Sequence, residues 1–522
     1  MDLKVKGDIM QKKPSSIKRF ITVTLIMTLI FTLLVSGCSP KTSEEAGGAK
    51  GKTMSTDVVV VGSGATGLTA SIQARQLRLD VMLLEKNGVT GGTTSMAEGY
   101  GGVNTDFAKK TGVEYDVRDV FFAMEEFHHY ANDQAVTLKY LENSGENGNW
   151  LESQGVKFEV LAPNGTNKFN TWHIYQGTGK QFAQTLTDKA KELGVEIILN
   201  TPGKELIMKD GKVAGIKAEQ SDGTVLTINA PVVILATGGY AGSPEMIAKY
   251  AKVDPATTIA DKGMPGRTGD GINMALAVGA SDKRLKGTLM NFGASMKVFP
   301  VYDPVNLMGW LPLLKVNQQG NRFIDEAMIL RDWGTNGNAQ KQQGFAYHIV
   351  TQKSLDKFIA EGFPGYWPEI PGLMDEINKA LEKQPDYVFK VDTIEELAGK
   401  IKVDKDQLKA TVDRYNGFCQ TGTDLDYKKP AEFLYPVDEG PFYAFKFEVG
   451  IFATTDGLEV TPKAQVLDKD GKIIPGLYAG GGDAGGLSSE TYDVNIVPGS
   501  QQGWSVNSGR MAAKDAAEYI KK

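Results

Sequence analysis

Three glycines and one acidic residue near the start of the sequence have the types and spacing that dinucleotide binding requires. Gly62, Gly64 and Gly67 follow one apolar run, and Glu85 ends the next. In such a layout the first glycine allows a tight turn, the second lets the backbone approach a pyrophosphate, and the third lets a helix pack on a strand. The acid accepts hydrogen bonds from ribose hydroxyls. The spacing therefore predicts a dinucleotide site.

A strand, a turn and a helix must position these residues. The apolar run 58–61 predicts a buried parallel strand, 68–77 a helix, and 81–84 a second strand. The N-terminus of that helix offers N–H groups and a partial positive charge to phosphate. Short apolar runs and helical patterns alternate as far as about residue 287, which is typical of a doubly wound α/β sheet.

The composition limits the other classes of function. A net charge of −6 gives no sign of nucleic-acid binding. With two cysteines and four histidines, we expect neither a disulfide in the mature body nor a metal site, and no Cys-x-x-Cys-His motif would attach a haem.

Several motifs, taken in order, resemble the flavoprotein family of fumarate reductase and succinate dehydrogenase. After the glycine turn come 85–99 with a Gly-Gly pair, 233–240 with Ala-Thr-Gly-Gly, and 474–483; the Gly-Asp-Gly of 269–271 also fits. The resemblance implies FAD as the cofactor, and a Rossmann-like α/β FAD-binding domain with an inserted α+β capping domain. It assigns the FAD contacts to Gly62, Gly64, Ala65, Thr66, Gly67, Glu85, Lys86, Gly91, Gly92, Thr93, Thr94, Ser95, Gly99, Thr237, Gly238, Asp270, Asp483, Ser500 and Gln501.

The same resemblance divides the chain and indicates how FAD is held. The FAD-binding domain is expected over 55–287 and 441–522, and the capping domain, which closes over the substrate, over 288–440. A long helix is predicted within the cap, over 395–417. Membrane-bound family members bond FAD through a histidine after the Gly-Gly pair. Here Thr-Thr-Ser follows that pair, so we expect non-covalent FAD.

One candidate proton donor comes from the family pattern. In the family, an arginine shortly after an Arg-Phe-x-Asn/Asp-Glu motif protonates the alkene while flavin N5 delivers a hydride. Residues 322–326 match that motif and Arg331 follows, one residue further from the glutamate than in the family. The glutamate and second arginine that feed protons to it have no counterpart in 305–310. Arg331 is therefore either the acid or an ordinary ion-paired arginine.

The family's carboxylate-binding residues are replaced here. Residues 290–292 are Met-Asn-Phe and 452–457 are Phe-Ala-Thr-Thr-Asp-Gly where the family has histidines, and Tyr492 stands where it has an arginine. Two carboxylates would lack partners in such a site, so fumarate is not expected to be the substrate. Tyr492 with the following Pro-Gly resembles the flavin ketosteroid dehydrogenases, in which a tyrosine acts beside a carbonyl. Tyr492 is the second catalytic candidate, the alternative being an aromatic that only packs under the flavin.

These assignments predict an FAD-dependent enzyme that reduces a C=C bond conjugated to a carbonyl. The aromatic residues Phe292, Trp310, Phe452 and Trp504 would suit an aromatic or polycyclic substrate. Two alternatives stay open: a dehydrogenase that introduces a C=C bond beside a carbonyl, and a substrate-binding lipoprotein without catalysis. Electrons are expected from a separate cytochrome, flavinylated protein or quinol route, as in anaerobic respiration.

The N-terminus resembles a lipoprotein signal peptide over residues 1–38. Basic residues precede an apolar run at 21–35, and 35–38 resembles a lipobox in which Cys38 is lipidated and becomes the mature N-terminus. Residues 39–54 are polar and predict a flexible tether. We therefore expect a chain anchored by lipid to the cell membrane on its extracytoplasmic side; a short uncleaved membrane anchor is the alternative.

Overall fold

The computed structural model describes residues 51–162, 168–260, 266–300, 302–364 and 369–522. Its strands are β1 (Gly51–Ser55), β2 (Val58–Val61), β3 (Val81–Leu84), β4 (Gly99–Gly101), β5 (Phe158–Ala162), β6 (Trp172–Tyr175), β7 (Glu196–Ile198), β8 (Gly203–Lys209), β9 (Lys212–Glu219), β10 (Val225–Asn229), β11 (Val232–Leu235), β12 (Thr258–Ala260), β13 (Leu289–Asn291), β14 (Leu314–Val316), β15 (Phe345–Thr351), β16 (Val388–Val391), β17 (Phe442–Thr454), β18 (Gln465–Leu467) and β19 (Ile473–Ala479).

The α-helices follow the same chain order. They are α1 (Ala65–Gln76), α2 (Asp106–Lys110), α3 (Val117–Phe127), α4 (Gln134–Ser153), α5 (Thr178–Glu192), α6 (Pro244–Met246), α7 (Asp270–Ala277), α8 (Pro304–Leu307), α9 (Met328–Arg331), α10 (Trp333–Gln343), α11 (Gln352–Glu361), α12 (Leu373–Lys383), α13 (Ile394–Ile401), α14 (Lys405–Thr421) and α15 (Ser500–Ile520).

A six-stranded sheet carries the predicted dinucleotide site. Its order is β18-β19-β11-β2-β3-β7, and the strands from β19 to β7 run parallel. Side chains of β2 alternate between two layers, as strand geometry requires. Val58 and Val60 pack with helices α1 and α15, whereas Val59 and Val61 pack with strands β8, β9 and β10. Burial on both faces explains the unbroken apolar run, and the predicted α/β fold is confirmed.

A second sheet contains strands from the region predicted to be the cap and from both sides of it. Its order is β12-β17-β15-β14, and β13 and β16 also pair with β17. The predicted domain boundary at 440/441 separates β17 from β15 and β16, its hydrogen-bonded partners. The same sheet also contains β12, which lies within the predicted FAD-binding range 55–287. The sheet therefore joins strands from both predicted domains, and the domain limits stay a prediction.

The predicted tether ends too late. Residues 51–55 form β1, which pairs in parallel register with β10 at the edge of the sheet β1-β10-β9-β8. Residues 51–54 thus belong to the folded body. The predicted signal peptide, Cys38 and the rest of the tether lie outside the described residues. Among the helices that are described, none is both long and apolar enough to cross a bilayer.

Candidate active site

A cavity of about 680 Å³ opens at the carboxyl ends of β2, β3 and β11. Ligands of parallel α/β sheets bind at this edge. The end of β17, from Ile451 to Thr454, also contributes to the wall. Of the residues predicted to contact FAD, the cavity is lined by Gly62, Gly64, Ala65, Thr66, Glu85, Lys86, Gly92, Thr93, Thr94, Ser95, Gly99, Thr237, Gly238, Asp270 and Gln501.

Each glycine in the turn between β2 and α1 is required for a different structural reason. Gly62 has a φ of +102°, and a Cβ there would lie 2.3 Å from the carbonyl oxygen of Ala236. At Gly67 a Cβ would lie 1.8 Å from the carbonyl oxygen of Gly62, so Gly67 packs the helix on the strand and does not line the cavity. At Gly64 the nearest atom would be Thr94 Oγ1, at 3.7 Å. Since the protein leaves that space open, the Gly64 backbone is accessible to a phosphate.

Glu85 is held in place at the end of β3. One carboxylate oxygen accepts from the N–H and the hydroxyl of Ser63, at 3.0 and 2.6 Å, and the other from the N–H of Asn87, at 2.8 Å. These bonds use three of about four acceptor positions of the carboxylate, which leaves one for a ribose hydroxyl. Gly91, whose N–H donates to the Ser63 carbonyl oxygen at 3.0 Å, braces this loop behind the cavity wall.

Two more of the predicted FAD contacts support the wall and do not line it. The buried Asp483 carboxylate accepts from the N–H of Gly239 and from the hydroxyl of Thr237, both at 2.9 Å. Asp483 thus fixes the turn after β11, and burial raises its pKa. Ser500 donates its hydroxyl to Asp493, at 2.7 Å, in the first turn of α15. Asp483 and Ser500 therefore brace the wall, and their predicted contacts with FAD stay predictions.

Sequence reasoning missed several lining residues. Ser63 lies between two predicted glycines, so its position alone could have identified it. Gln502 follows a predicted contact in the first turn of α15. Arg267 is buried, lines the cavity and donates to the carbonyl oxygen of Phe452. Nothing in the local pattern distinguishes this arginine from a surface one.

Aromatic rings form one section of the cavity wall, which we call the aromatic section: Phe292, Trp310, Trp333, Phe452 and Tyr492. Phe292 stacks on Trp310 with ring centroids 5.2 Å apart and lies 4.4 Å from the ring of Phe452. Trp333 lies 5.2 Å from the ring of Tyr492. The fourth predicted aromatic, Trp504, is core instead: it is buried and its indole N–H donates to the carbonyl oxygen of Ala484.

Tyr492 lies where the aromatic section meets a helix N-terminus. Its hydroxyl oxygen accepts from the N–H of Gly499 at 2.6 Å, and Gly499 is the residue that precedes α15. A phenol can accept one hydrogen bond and donate its own proton at the same time. The positive end of a helix favours negative charge on that oxygen. This geometry suits a proton donor.

Arg331, the other candidate acid, does not line the cavity. It ends the short helix α9, its side chain is 38% exposed, and it forms an ion pair with Asp325. The structure therefore does not bring Arg331 and Tyr492 together at one site. The Arg-Phe motif that led to Arg331 has a structural use, since Arg322 pairs with Glu326 and Asp424, at 2.8 and 2.7 Å, in the interior of the cap region.

A buried acid lies directly beside Tyr492 in the chain. The side chain of Asp493 is fully buried, and one of its oxygens has no hydrogen-bond partner among the described residues. Desolvation raises the pKa of Asp493 to about 7, and the nearby Asp332 carboxylate adds to the shift. Asp493 therefore changes its protonation near neutral pH at the base of α15.

A glycine turn, an acid after the next strand and two helix N-termini at one cavity define a dinucleotide-binding oxidoreductase of the flavoprotein class. The family model described as an FAD binding domain matches residues 57–494. The chain therefore belongs to this FAD-binding family, which includes the fumarate reductase flavoproteins its motifs resemble, and FAD is its cofactor.

Named relatives show which reactions the family performs. The chain is 35% identical to the vinyl phenol reductase of Lactiplantibacillus plantarum, over 89% of this chain and 96% of the relative. It is 30% identical to the urocanate reductase of Eggerthella lenta, over 84% of this chain and 71% of the relative. An open flavocytochrome c3 fumarate reductase structure matches with a TM-score of 0.67 at 28% identity, covering 90% of this chain and 79% of that one. The chain is an FAD-dependent oxidoreductase that acts on C=C bonds.

Proposed function

We propose that this chain is a lipid-anchored, extracytoplasmic reductase of uncharged alkenes whose C=C bond is conjugated to an aromatic ring or a carbonyl. The aromatic section carries this proposal, because its five rings line the cavity and two of them, Phe452 and Tyr492, stand where the family pattern has a histidine and an arginine. Flat, uncharged substrates gain the most binding energy from contact with such rings. The name of the vinyl phenol reductase relative supports the aromatic option.

The residues that would hold FAD follow the cavity wall. Glu85 would accept from a ribose hydroxyl, the N-terminus of α1 would face the pyrophosphate, and Gln501 in the first turn of α15 would face the flavin. Thr94 Oγ1 accepts from the N–H of Ala65 at 2.9 Å and so ties the Gly-Gly segment to α1. With no histidine after that pair, FAD is held without a covalent bond.

Tyr492 is the proton donor in this proposal. A bound, reduced FAD supplies a hydride to one alkene carbon. Tyr492 gives its phenolic proton to the other carbon, while the Gly499 N–H holds the oxygen that loses it. If the conjugated group is a carbonyl, the same hydroxyl and helix end lie ready to stabilise negative charge on the carbonyl oxygen. The reverse reaction, desaturation beside a carbonyl, would use the same residues.

Electrons would reach the flavin from a separate protein or quinol at the membrane. The predicted lipid at Cys38 would hold the chain near such a donor. This part of the proposal rests on the sequence, since Cys38 lies outside the described residues.

Flavin reoxidation tests the proposed reaction directly. The FAD-loaded protein is reduced anaerobically with dithionite, and candidate alkenes are added while flavin absorbance is followed. We expect fast reoxidation by neutral aryl alkenes or enones and slow reoxidation by fumarate, with Tyr492→Phe slowing the fast reactions. Rapid turnover of fumarate together with inert neutral alkenes would contradict the proposal.

A further inference from the structure

Among the described residues, three acids line the cavity, and they differ in the groups that they bind. Glu85 is bonded to Ser63 and Asn87 as described above. Asp270 forms an ion pair with Lys86 at 2.7 Å. The Glu98 carboxylate has no hydrogen bond or ion pair within the described part of the chain, although Glu98 also lines the cavity. Its charge therefore remains available to a ligand.

Strand β4 begins directly after Glu98 and is bonded to the residue that holds the proposed proton donor. The N–H of Gly101 donates to the carbonyl oxygen of Gly499 at 3.0 Å, and Gly499 in turn bonds Tyr492. Glu98 precedes Gly101 by three residues, or roughly 10 Å of extended strand. Its own carbonyl oxygen accepts from the N–H of Tyr175, at 3.0 Å, which fixes the backbone. Since Glu98 and Tyr492 line the same cavity, a small para-substituted aromatic molecule bound there would have one group for each of them.

The surroundings of Glu98 make its carboxylate a strong acceptor. Protein atoms around it desolvate the group and raise its pKa, while the cavity leaves the side chain accessible to solvent. Burial and then the negative charge of Glu98 raise the pKa of Tyr302, which lines the same cavity. Two basic residues line the described part of the wall: Lys86 pairs with Asp270, and Arg267 donates to the Phe452 carbonyl oxygen. A second carboxylate brought near Glu98 would meet repulsion.

We propose that Glu98 determines substrate specificity by accepting a hydrogen bond from the hydroxyl of a phenolic alkene and by repelling alkenes that carry a carboxylate. This inference rests on the proposed function and deepens it, since it selects the phenol among the uncharged substrates. Specificity of this kind combines one attraction with one repulsion.

The same position gives Glu98 a step in the reaction of a vinyl phenol. Tyr492 donates its proton to the terminal vinyl carbon while Glu98 takes the phenolic proton, which turns the ring into a neutral quinone methide. With reduced FAD bound, a hydride would be available to the carbon attached to the ring, and its addition would leave a phenolate. Glu98 returns its proton to that oxygen, and solvent reprotonates Tyr492. One hydride and one proton are added overall, and Glu98 ends as it began.

Binding to the oxidised, FAD-loaded protein tests the inference apart from catalysis. The probes are para-ethylphenol and para-ethylanisole, which differ in the hydroxyl hydrogen, and the readout is the flavin absorbance change. Glu98→Gln should weaken para-ethylphenol binding by about 10- to 100-fold, the range for a hydrogen bond to a charged group. Binding of para-ethylanisole should change little. Glu159→Gln is the matched control, an exposed acid on β5 of the same small sheet β4-β6-β5.

Turnover measurements provide a second test of the role of Glu98. Glu98→Gln should lower the preference for para-vinylphenol over para-hydroxycinnamate, because the repulsion of the carboxylate is removed. An unchanged phenol-to-anisole binding ratio would overturn the role of Glu98 even if the wild type reduces para-vinylphenol well. Failure of the wild type to reduce any neutral alkene would instead contradict the proposed function, and the binding ratio would still decide the role of Glu98.

Discussion

Replacing Asp493 by asparagine should change how the stability of the protein depends on pH. Burial raises the pKa of this carboxyl from 3.8 to about 7. The folded state therefore holds the proton more tightly than the unfolded state does. The stability that this group contributes is complete below pH 3.8 and is lost as pH rises through about 7. A shift of this size corresponds to a loss of about 4 kcal/mol in the unfolding free energy by pH 8 and above.

Asparagine has the same shape and no titration in this range. Its side-chain oxygen can still accept from Ser500, but its NH₂ group takes the place of an oxygen that has no partner among the described residues. That unsatisfied donor costs about 1–3 kcal/mol at every pH. The absolute stability of Asp493→Asn is thus a poor test, whereas the change with pH isolates the titration.

Thermal unfolding of the FAD-loaded protein between pH 5 and 8.5 is the assay. The melting temperature of Asp493→Asn should rise relative to wild type across this interval, by a few degrees in total. Asp470→Asn is the control, an exposed aspartate on the turn between β18 and β19. A difference between variant and wild type that stays constant with pH, or that falls, would refute the assignment of a neutral, buried acid beside Tyr492.

Three further predictions concern the proton donor, the cofactor and the anchor. Tyr492→Phe should retain FAD and lose alkene reduction by about 10²- to 10⁴-fold, the scale of a positioned acid, whereas Arg331→Ala should lose much less in the same stopped-flow assay; the opposite order would restore Arg331 as the acid. Glu85→Arg should purify without flavin absorbance, because a large cation would face the ribose, while acid precipitation of wild type should release FAD into the supernatant. Cys38→Ala should leave the chain unprocessed and unlipidated in fractionated cells, and recovery of unmodified wild-type protein from the cytosol would contradict the anchor.

The parallel sheet could be predicted from the sequence because its signals are local. The strands at 58–61 and 81–84 and the helix after the glycine turn have apolar patterns and turn residues within a few positions. The helix predicted over 395–417 is instead two helices, α13 and α14, separated at Lys402, which has a φ of +58°. A lysine in the left-handed region follows from tertiary packing and has no local sequence signature.

Sheet partners and domain limits depend on contacts between distant residues. Strand β17 pairs with β13, β15 and β16, and no pattern within 442–454 indicates on which side of a boundary those partners lie. The same holds for β1, whose polar sequence resembles a tether until it pairs with β10. Sequence alone therefore predicted the class of fold but did not identify β1 as a strand.

In the candidate site, too, the outcome depends on whether a residue has a local sequence signal. Residues fixed by the glycine turn, such as Gly64 and Glu85, line the cavity as their spacing indicated. Arg331 was assigned by analogy along a segment that is one residue longer than the family pattern. One extra residue in a helix turns a side chain by about 100°. Arg331 lies on the short helix α9, pairs with Asp325 and does not line the cavity.

The substitutions around the cavity support the proposal together, because each of them makes the wall less positively charged. Met290, Phe452 and Tyr492 each stand where the resembling family has a residue that binds a carboxylate, and each removes a positive charge or its equivalent from the wall. Glu98 adds a negative charge to the same wall. A bound pyrophosphate adds more, and the two helix N-termini offset it only in part. If the carboxylate-binding residues had simply been lost, the cavity would be neutral. Instead it combines aromatic rings, the phenol of Tyr492 and the acid Glu98. This combination favours a ligand that has an aromatic ring and a hydroxyl hydrogen.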